Sequence, residues 1–475
     1  MVKQLRKWQS QAVQELVCSF ETGKKHFFCL AATATGKTVM AAESSKQLIN
    51  KQAIDIVLCF CPTTEIQHGI RKTFEFHLQQ PFDGSIQSVG SVHTYQGMLY
   101  QSEKFLSLFD NYRVMVVFDE VHHSGGTPYS KSNSWGTQIL NVIASKARFI
   151  LCLSGTPWRS DSLPITTAIY DEKNQIQCDF IYGLASAVRD RVCRKPGIVL
   201  IDNSNISVEV PKVGTKVFDS ISHALRESPL GYIRIIRDLN AQQFILKKAI
   251  NKLSAIRKSN PNAGGVVVCS SVDHAEQVLE LLRHTFHQKA IAVSYLHHNA
   301  PKIIDEFRNS STPWIVSVGM VSEGTDIPRL QVCCHLSHVR TEMHFRQTLG
   351  RILRMNDSKN QESWLYTFAE PNLSEYAHRL QIDIPEMEVN FESIHENDDE
   401  EDFNNLPNAF LKSSEAFEKD LSFALSEEQL DLEEYSSFGE KSQSDEKLQR
   451  VIYDFELNEK KYIEKLAGLY ENNPS

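Results

Sequence analysis

A lysine and a threonine follow a glycine in the segment AATATGKT (31–38), which comes after an apolar run and opens a helical pattern. This order of strand, loop and helix is the context that a phosphate-binding P-loop requires. In such a loop, backbone N–H groups and the helix amino terminus face the phosphates, and the lysine reaches the terminal oxygens. We expect Lys37 to be that lysine and Thr38 to be a hydroxyl ligand of Mg²⁺. The backbone groups would come from Thr33, Ala34, Thr35 and Gly36. Ala31 replaces the first glycine of the pattern, so a chance GKT is the alternative for this segment taken alone.

Two adjacent carboxylates end a second apolar run, in FDEVHH (118–123). Burying such a pair is unfavourable unless a cation lies beside it. We expect Asp119 to hold Mg²⁺, directly or through water, and Glu120 to orient and deprotonate an attacking water. The alternative is a strand that ends in solvated acids, and Lys37 about 80 residues upstream makes it less favourable. Together the two segments predict binding and hydrolysis of ATP.

Short apolar runs alternate with helical patterns twice along the chain, which is typical of parallel sheets with helices on both faces. Each run has about five to seven residues rich in Val, Ile and Cys, as in a strand buried on both faces. The first half contains runs at 26–32, 54–60, 114–119 and 148–154, and the second at 266–270, 290–296, 314–320 and 331–337. The fold class expected is therefore α/β, with two tandem domains.

Four regions are expected along the 475 residues. Residues 1–185 would form the ATP-binding domain and residues 263–375 a second domain of the same kind. Residues 186–262 are expected to be a linker or an inserted helical subdomain, with one strand-like piece (GIVLID) before a helical pattern at 222–258. Residues 376–475 are expected to be an acidic, largely helical or disordered region, with a final helical pattern at about 444–470 that could dock on the body.

Charge is divided unevenly between these regions. Residues 376–475 carry 26 acidic and 9 basic side chains, a net charge of −17, which leaves residues 1–375 at +8 although the whole chain has −9. A basic body suits a polyanionic partner such as nucleic acid. The tail would solubilise the protein, bind a protein partner or fold back on the basic body as a nucleic-acid mimic.

Hydropathy and cysteine spacing argue against two other classes of protein. No apolar run approaches the length of a membrane span, and the amino terminus lacks the apolar segment of a signal peptide. The ten cysteines lack the paired spacings of a zinc site. We therefore expect reduced thiols and a cytoplasmic protein.

The order of the motifs resembles that of superfamily 2 helicases of the DExH type. AATATGKT and FDEVHH are similar to the first two motifs, and LSGTPWR (153–159) stands where the third is expected. VSEGTDIPRL (321–330) resembles the fifth motif and RQTLGRILR (346–354) the sixth. LRKWQ (5–9) is similar to an element that contacts adenine, and CPTTEIQ (61–67), HTYQ (93–96) and VVVCSS (266–271) stand where nucleic-acid motifs belong. The resemblance spans residues 5 to about 370.

This resemblance implies two RecA-like domains with ATP in the cleft between them. Arg351 and Arg354, which a helix would place on one face, would act as arginine fingers from the second domain, and Gln347 would face the same cleft. The remaining implied nucleotide and coupling residues are Arg6 and Gln9 at adenine, Gly324 and Asp326 on the opposite side of the nucleotide, and His122, Ser154 and Thr156 between the nucleotide and the nucleic acid.

A nucleic-acid groove is also implied by the resemblance. Small hydroxyls, amides and backbone N–H groups bind phosphate and sugar oxygens without reading bases. The candidates are Pro62, Thr63, Thr64, Thr94, Gln96, Ser270, Ser271 and Thr325. Taken singly, each is more often a helix cap or turn residue. Trp158 is a candidate to stack on a base or to join the core, Arg159 to contact the strand or order its loop, and His297 and His298 are expected to be structural.

The TATGKT, DEVHH and GTPWR forms resemble the group of restriction motor subunits and XPB-like translocases more than DEAD-box RNA helicases. A DNA helicase or translocase in bacterial repair, restriction or phage defence is therefore the function expected. An RNA helicase and an ATP-gated binding switch or scaffold that recruits an effector through the acidic tail are the alternatives. Ala34 stands where the superfamily usually has glycine; a positive φ at this position would cost about 1 kcal/mol.

Overall fold

The computed structural model describes residues 4–98, 103–123, 142–156, 165, 167–172, 175–210, 214–297, 299–319, 325–381 and 455–467. Candidates at Trp158, Arg159, His298 and Gly324 lie outside these ranges. The described residues form two α/β domains, each built on one mainly parallel sheet, as the alternation of apolar runs predicts.

The first domain is a six-stranded parallel sheet in the order β3-β2-β4-β5-β1-β6. Its strands are β1 (His26–Ala31), β2 (Ile56–Cys61), β3 (Gly90–Thr94), β4 (Val114–Asp119), β5 (Phe149–Ser154) and β6 (Phe180–Tyr182). Its helices are α1 (Lys7–Glu21), α2 (Lys37–Asn50), α3 (Thr64–Leu78), α4 (Tyr95–Met98), α5 (Glu103–Leu106), α6 (Leu108–Asn111) and α7 (Leu184–Arg189). Strands β4 and β5 are buried along their whole length, because helices cover both faces of the sheet.

The second domain follows the same plan with a seven-stranded sheet in the order β11-β12-β10-β13-β14-β7-β16. The strands after β6 are β7 (Lys195–Asn203), β8 (Ile206–Val210), β9 (Gly214–Phe218), β10 (Gly264–Cys269), β11 (Ala290–Ser294), β12 (Trp314–Val318), β13 (Leu330–Leu336), β14 (Glu362–Phe368), β15 (Phe455–Leu457) and β16 (Tyr462–Ala467). The helices are α8 (Ile221–Glu227), α9 (Tyr232–Arg237), α10 (Leu239–Arg257), α11 (Val272–Glu280), α12 (Ala300–Asn309), α13 (Glu342–Ile352) and α14 (Pro371–His378). Each of the eight apolar runs contains a strand of one of the two sheets.

The range 186–262, expected to be a linker or an inserted subdomain, contributes to the second sheet. β7 pairs in parallel with β14, and helices α8, α9 and α10 lie between β7 and β10 in the chain. Burial of β7 follows from this pairing, since eight of its nine residues are buried. The boundary expected at residue 263 therefore separates a strand from its own sheet. Sequence periodicity indicates that a strand exists but not which strand it pairs with.

The helix expected at about 444–470 is wrong within residues 455–467. β16 pairs antiparallel with β7 and extends the second sheet, while β15 pairs with β8 in a small antiparallel sheet of order β15-β8-β9. Leu457 and Ala467 are buried, and Lys465 forms an ion pair with the buried Asp202. The segment docks as expected, but as strands. Main-chain pairing along the edge of β7 overrides its weak helical periodicity.

Candidate nucleotide site and interdomain cleft

The P-loop candidate lies between the carboxyl end of β1 and the start of α2. Two residues of the loop have left-handed backbone, Ala34 with φ 68° and Gly36, the amino-terminal cap of α2, with φ 92°. The Thr35 hydroxyl donates a hydrogen bond to Ala32 O at 2.7 Å, which closes the loop on itself. Lys37 is the first residue of α2 and is buried, with 8% of its surface exposed. The loop thus presents the helix amino terminus and a buried ammonium at the same place, as an anion site requires.

Lys37 lies against Glu120, which follows β4 on the neighbouring part of the sheet. Lys37 Nζ is 3.0 Å from Glu120 Oε1 and 3.3 Å from Ala31 O, and Gly155 N donates to Glu120 Oε2 at 3.3 Å. Burial by itself would raise the pKa of Glu120, but Lys37, His122 and the hydrogen bonds lower it to about 2. Glu120 is therefore ionised at neutral pH. Its φ of 48° is a strained conformation for a non-glycine residue, of the kind that clusters at active sites.

Asp119 ends β4 and is buried, with 7% of its surface exposed. Thr38 is the second residue of α2 and is half-buried. Tyr95, which sequence reasoning passed over, donates its hydroxyl proton to Asp119 O at 2.9 Å. It lies between the nucleic-acid candidates Thr94 and Gln96, so the only available signal was its place inside that motif. Tyr95 connects the groove candidates to the carboxylate strand.

A short chain of hydrogen bonds runs from the end of β4 to the end of β5. His122 Nδ1 lies 3.0 Å from Ser154 Oγ, and the Ser154 hydroxyl donates to Thr156 O at 2.6 Å. Thr156 N in turn donates to Ser154 Oγ at 3.0 Å, and all three residues are buried. His122 Nδ1 is also 3.8 Å from Glu120 Oε2. The structure therefore brings the three coupling candidates together beside Glu120.

Arg6 and Gln9 at the start of α1 reach the P-loop through its carbonyl groups. Arg6 Nη1 donates to Thr35 O at 2.6 Å, and Gln9 Nε2 donates to Gly36 O at 2.9 Å. Gln9 Oε1 also accepts a hydrogen bond from Arg6 N at 2.8 Å. Here both side chains brace the left-handed turn of the loop, and this bracing is additional to the adenine contact that the resemblance implies.

The second domain meets the P-loop through helix α13. A β-carbon placed on Gly350 would stand 2.7 Å from Thr33 Cβ, so the helix backbone and the loop are in direct contact. Cys193, in the connection between α7 and β7, donates its thiol proton to Thr33 O at 3.6 Å. The cleft is therefore closed around Thr33.

The two arginine-finger candidates lie on α13 and just after it. Arg351 is 7% exposed and donates from Nη1 to Thr325 O at 2.9 Å. Arg354 forms an ion pair with Asp326. Gln347 is half-buried on the same helix. The carboxyl end of α13 and the segment that starts at Thr325 are thus joined by both arginines.

The groove candidates follow the carboxyl ends of strands, which is where ligands bind in open parallel sheets. Pro62, Thr63 and Thr64 follow β2; Thr94 ends β3 and Gln96 comes shortly after; Ser270 and Ser271 follow β10; and Thr325 lies between β12 and β13. His297, which is expected to be structural, lies after β11, and its Nδ1 is 2.8 Å from Ser294 Oγ.

Several of these residues have local partners. Thr63 and Ser271 are the amino-terminal caps of α3 and α11, accepting hydrogen bonds from Ile66 N and His274 N at 3.3 Å each. Ser270 Oγ is 2.8 Å from His274 Nδ1. A cap and a phosphate contact are compatible, because a capped helix still presents other free N–H groups in its first turn.

All ten cysteines are free thiols. In the described ranges, no group of three or more His, Cys, Asp or Glu side chains is arranged to hold a metal ion. No helix within those ranges is long and apolar enough to cross a membrane.

Comparison with known proteins agrees with the two-domain architecture. Residues 2–159 match the family model of the Type III restriction enzyme res subunit, and residues 246–356 match the helicase conserved C-terminal domain. An uncharacterised protein of Mycobacterium tuberculosis is 27% identical over 394 residues, which is 80% of this chain and 63% of that protein. A Saccharomyces cerevisiae protein provisionally named an ATP-dependent helicase is 22% identical over 388 residues, 75% of this chain and 50% of that protein. The chain therefore spans less than two thirds of the length of these relatives.

Two solved structures share the fold. An ATP-dependent Type ISP restriction-modification enzyme bound to DNA aligns with a TM-score of 0.53 at 14% identity, over 77% of this chain and 28% of that one. A fragment assigned to the HsdR subunit of a type I restriction enzyme from Vibrio vulnificus aligns with a TM-score of 0.54 at 17% identity, over 80% of this chain and 67% of the fragment.

Proposed function

We propose that this chain, whose two domains are those of a superfamily 2 helicase related to restriction motor subunits, is an ATP-dependent nucleic-acid motor. The observation that carries the proposal is the contact of Gly350 on α13 with Thr33 in the P-loop. Through this contact, phosphates bound at Lys37 lie beside the helix that bears Arg351 and Arg354. Nucleotide binding and hydrolysis then control how tightly the two domains close, which converts chemistry into motion.

Each of these residues of the cleft has a separate role in the proposed hydrolysis. Lys37 binds the β- and γ-phosphates, and Glu120, ionised and held by Gly155 N, orients a water and accepts its proton. Arg351 and Arg354 supply positive charge from the second domain as negative charge develops on the γ-phosphate. Gln347, on the same helix, helps to orient the phosphate or the water.

Two oxygen donors, one at the carboxyl end of β4 and one at the start of α2, fit Mg²⁺. Asp119 is a buried carboxylate, and Thr38 supplies a hydroxyl at the start of α2. Oxygen donors of this kind suit a hard divalent cation. Asp119 and Thr38 are the side chains that would hold Mg²⁺, which would neutralise charge on the phosphates when bound. Gly324, outside the described ranges, and Asp326 would contact the nucleotide from the second domain.

We propose DNA as the polymer. The +8 charge of residues 1–375 suits a polyanion, and one of the structures that share the fold is a restriction-modification enzyme bound to DNA. The groove candidates at the carboxyl edges of β2, β3 and β10 would contact backbone oxygens, and His122, Ser154 and Thr156 would relay the state of the nucleotide to them. Restriction, repair or phage defence in a bacterial cytoplasm is the setting we propose.

Phosphate release tests this function. The purified chain, with Mg²⁺ and ATP, is assayed alone and with duplex DNA, single-stranded DNA or RNA, with Lys37→Ala as the inactive control. We expect stimulation by DNA that exceeds stimulation by RNA. Stronger activation by RNA would indicate an RNA helicase instead. No stimulation by any of the three polymers would refute the proposed motor function. A strand-displacement assay then separates unwinding from translocation.

One observation favours a second candidate, an ATP-gated switch that recruits an effector. The acidic segment 382–454 is tied to the second domain at both ends, because residues 455–467 pair with β7 and β8. Tethering at both ends raises the effective concentration of this acidic sequence at the basic body, where it would compete with nucleic acid.

The switch is tested by replacing residues 390–446 with a Gly/Ser linker of roughly 25 residues, which retains β15 and β16. Autoinhibition predicts faster basal phosphate release and tighter DNA binding in this variant. Unchanged values would leave the segment as a solubilising tail or a site for a protein partner. Truncation after residue 376 is a poorer test, because it also removes two strands.

A further inference from the structure

Arg194 is a buried cation that lies immediately before β7. It is 1% exposed, and no carboxylate pairs with it in the part of the chain that the structure describes. Burial lowers the pKa of its guanidinium to about 10, so it keeps its charge at neutral pH. A charge in such a place is costly unless hydrogen bonds satisfy it. Its partners therefore indicate what the residue is for.

Three of the four partners of Arg194 are backbone carbonyls, and these belong to two separate segments. Nη1 donates to Leu330 O at 2.6 Å and to Ile352 O at 3.2 Å, and Nη2 donates to Pro328 O at 3.0 Å. Pro328 lies just before β13 and Leu330 is its first residue, while Ile352 is the last residue of α13. Nε donates to the side-chain amide oxygen of Gln361 at 3.0 Å. One side chain thus joins the end of α13 to the segment that contains Asp326.

The contacts of Arg194 lie beside the two finger arginines. Arg194 N donates to Leu353 O at 2.8 Å, and Cys193 forms an isolated antiparallel bridge with Arg354. The last carbonyls of a helix lack intrahelical partners, and a cation there also interacts favourably with the helix dipole. Arg194 therefore caps α13 from the chain connection between the domains, and the adjacent Cys193 contacts Thr33 of the P-loop.

We propose that Arg194 is a positioning residue for ATP hydrolysis, which holds the carboxyl end of α13 against residues 325–330 so that Arg351 and Arg354 face the P-loop. The proposal rests on the ATPase function proposed above. Arg194 touches neither Lys37 nor the loop residues in any described contact. It acts through the two finger arginines, and its loss should lower the rate of hydrolysis more than the affinity for ATP.

Arg257, the last residue of α10, offers a control in the same domain. It is half-buried and also donates to backbone carbonyls, Ala263 O at 2.5 Å and Ser311 O at 3.1 Å. Burial lowers the pKa of Arg257 as well. Its partners lie in the loops before β10 and β12, outside residues 325–330 and in segments that carry no finger arginine. Replacing Arg257 therefore reports the general cost of losing a carbonyl-bonded guanidinium.

The experiment compares Arg194→Met, Arg194→Lys, Arg257→Met, Arg354→Ala and the Arg194→Met/Arg354→Ala double variant as full-length chains. DNA-stimulated kcat, the Kd of a fluorescent ATP analogue and the thermal midpoint are measured for each. We expect Arg194→Met to lower kcat by about 100-fold, the order of loss that a misplaced catalytic group causes. Its nucleotide Kd should stay within about threefold of wild type. The kcat of Arg194→Lys should lie between those of wild type and Arg194→Met.

Two results identify the mechanism. Arg257→Met should also lower the thermal midpoint but leave kcat within about threefold of wild type. The double variant should lose less kcat than the product of the two single losses, because Arg194 acts in part through Arg354. Equal kcat losses in Arg194→Met and Arg257→Met, or full additivity with Arg354→Ala, would overturn the proposal. If Arg194→Met does not fold, Arg194→Lys and Gln361→Ala carry the same comparison. Loss of the motor function itself would be recognised separately, by a wild-type chain that no polymer stimulates.

Discussion

Gly350 of the second domain packs against Thr33 of the P-loop at a distance that leaves no room for a β-carbon, which would stand 2.7 Å from Thr33 Cβ. The backbone of α13 and the loop that would bind phosphates are therefore in contact in this conformation. Glycine is required here by close approach, since its φ is not in the left-handed region.

This contact predicts the effect of Gly350→Ala. The added methyl group forces α13 away from Thr33, so the finger arginines should move away from the P-loop. The DNA-stimulated kcat should therefore fall by at least about tenfold, while the affinity for ATP should be nearly retained. Gly69→Ala is the control, because a β-carbon at Gly69 in α3 meets nothing within 4 Å. That variant should be as active as wild type and slightly more stable. Equal activities of the two variants would contradict the packing argument.

Ala34 predicts a gain of stability on replacement by glycine. Its φ of 68° is unfavourable for a residue with a β-carbon, and Ala34→Gly should raise the free energy of unfolding by about 1 kcal/mol. Gln79→Gly, at the left-handed carboxyl cap of α3 with φ 56°, is the comparison at a distance from the site. Urea unfolding should show a gain in both variants, while only Ala34→Gly should change the rate of ATP turnover. A loss of stability in Ala34→Gly would show that the loop is not strained.

Glu120→Gln separates binding from hydrolysis. The substitution removes the proposed base, so kcat should fall by about 10²- to 10⁴-fold. It also breaks the ion pair with Lys37 Nζ, leaving the ammonium available to phosphate, and the Kd for ATP should decrease. Phosphate release and equilibrium binding of a fluorescent ATP analogue measure the two effects. Hydrolysis at the wild-type rate would exclude Glu120 as the base.

The low pKa of Glu120 predicts how stability changes with pH. A carboxylate whose pKa falls from 4.5 in the unfolded chain to about 2 in the folded one stabilises the fold fully above pH 4.5, and the contribution is lost as pH falls towards 2. The difference in thermal midpoint between wild type and Glu120→Gln should therefore be constant between pH 5 and 7. Below pH 4.5 it should shift against the wild type. A difference that already changes between pH 7 and 5 would contradict the assignment.

Truncation after residue 454 should destabilise the second domain. It exposes the edge of β7, removes the buried Leu457, worth about 2 kcal/mol, and deprives the buried Asp202 of Lys465. The thermal midpoint should fall, whereas the variant with residues 390–446 replaced should match the wild type, because it retains β15 and β16. Equal midpoints for the truncated and full-length chains would show that the two strands contribute little.

Local sequence was sufficient for the parts of this protein that depend on neighbouring residues. A run of apolar residues becomes a buried strand wherever helices cover both its faces, and GKT or DE after such a run lies at a carboxyl edge of the sheet. Lys37 and Glu120 could therefore be predicted to lie in one site, although their ion pair could not, and the fold class and the eight strands followed from the same periodicity.

Tertiary structure decided the relations between distant segments. The pairing of β16 with β7, the contact of Gly350 with Thr33 and the four partners of Arg194 join residues more than 100 positions apart. Every residue type has a backbone carbonyl that can accept a hydrogen bond. The residue types at positions 328, 330 and 352 therefore do not identify them as partners of Arg194. A strand's choice of neighbour likewise depends on which edge the rest of the sheet leaves unpaired, and that is known only once the sheet has formed.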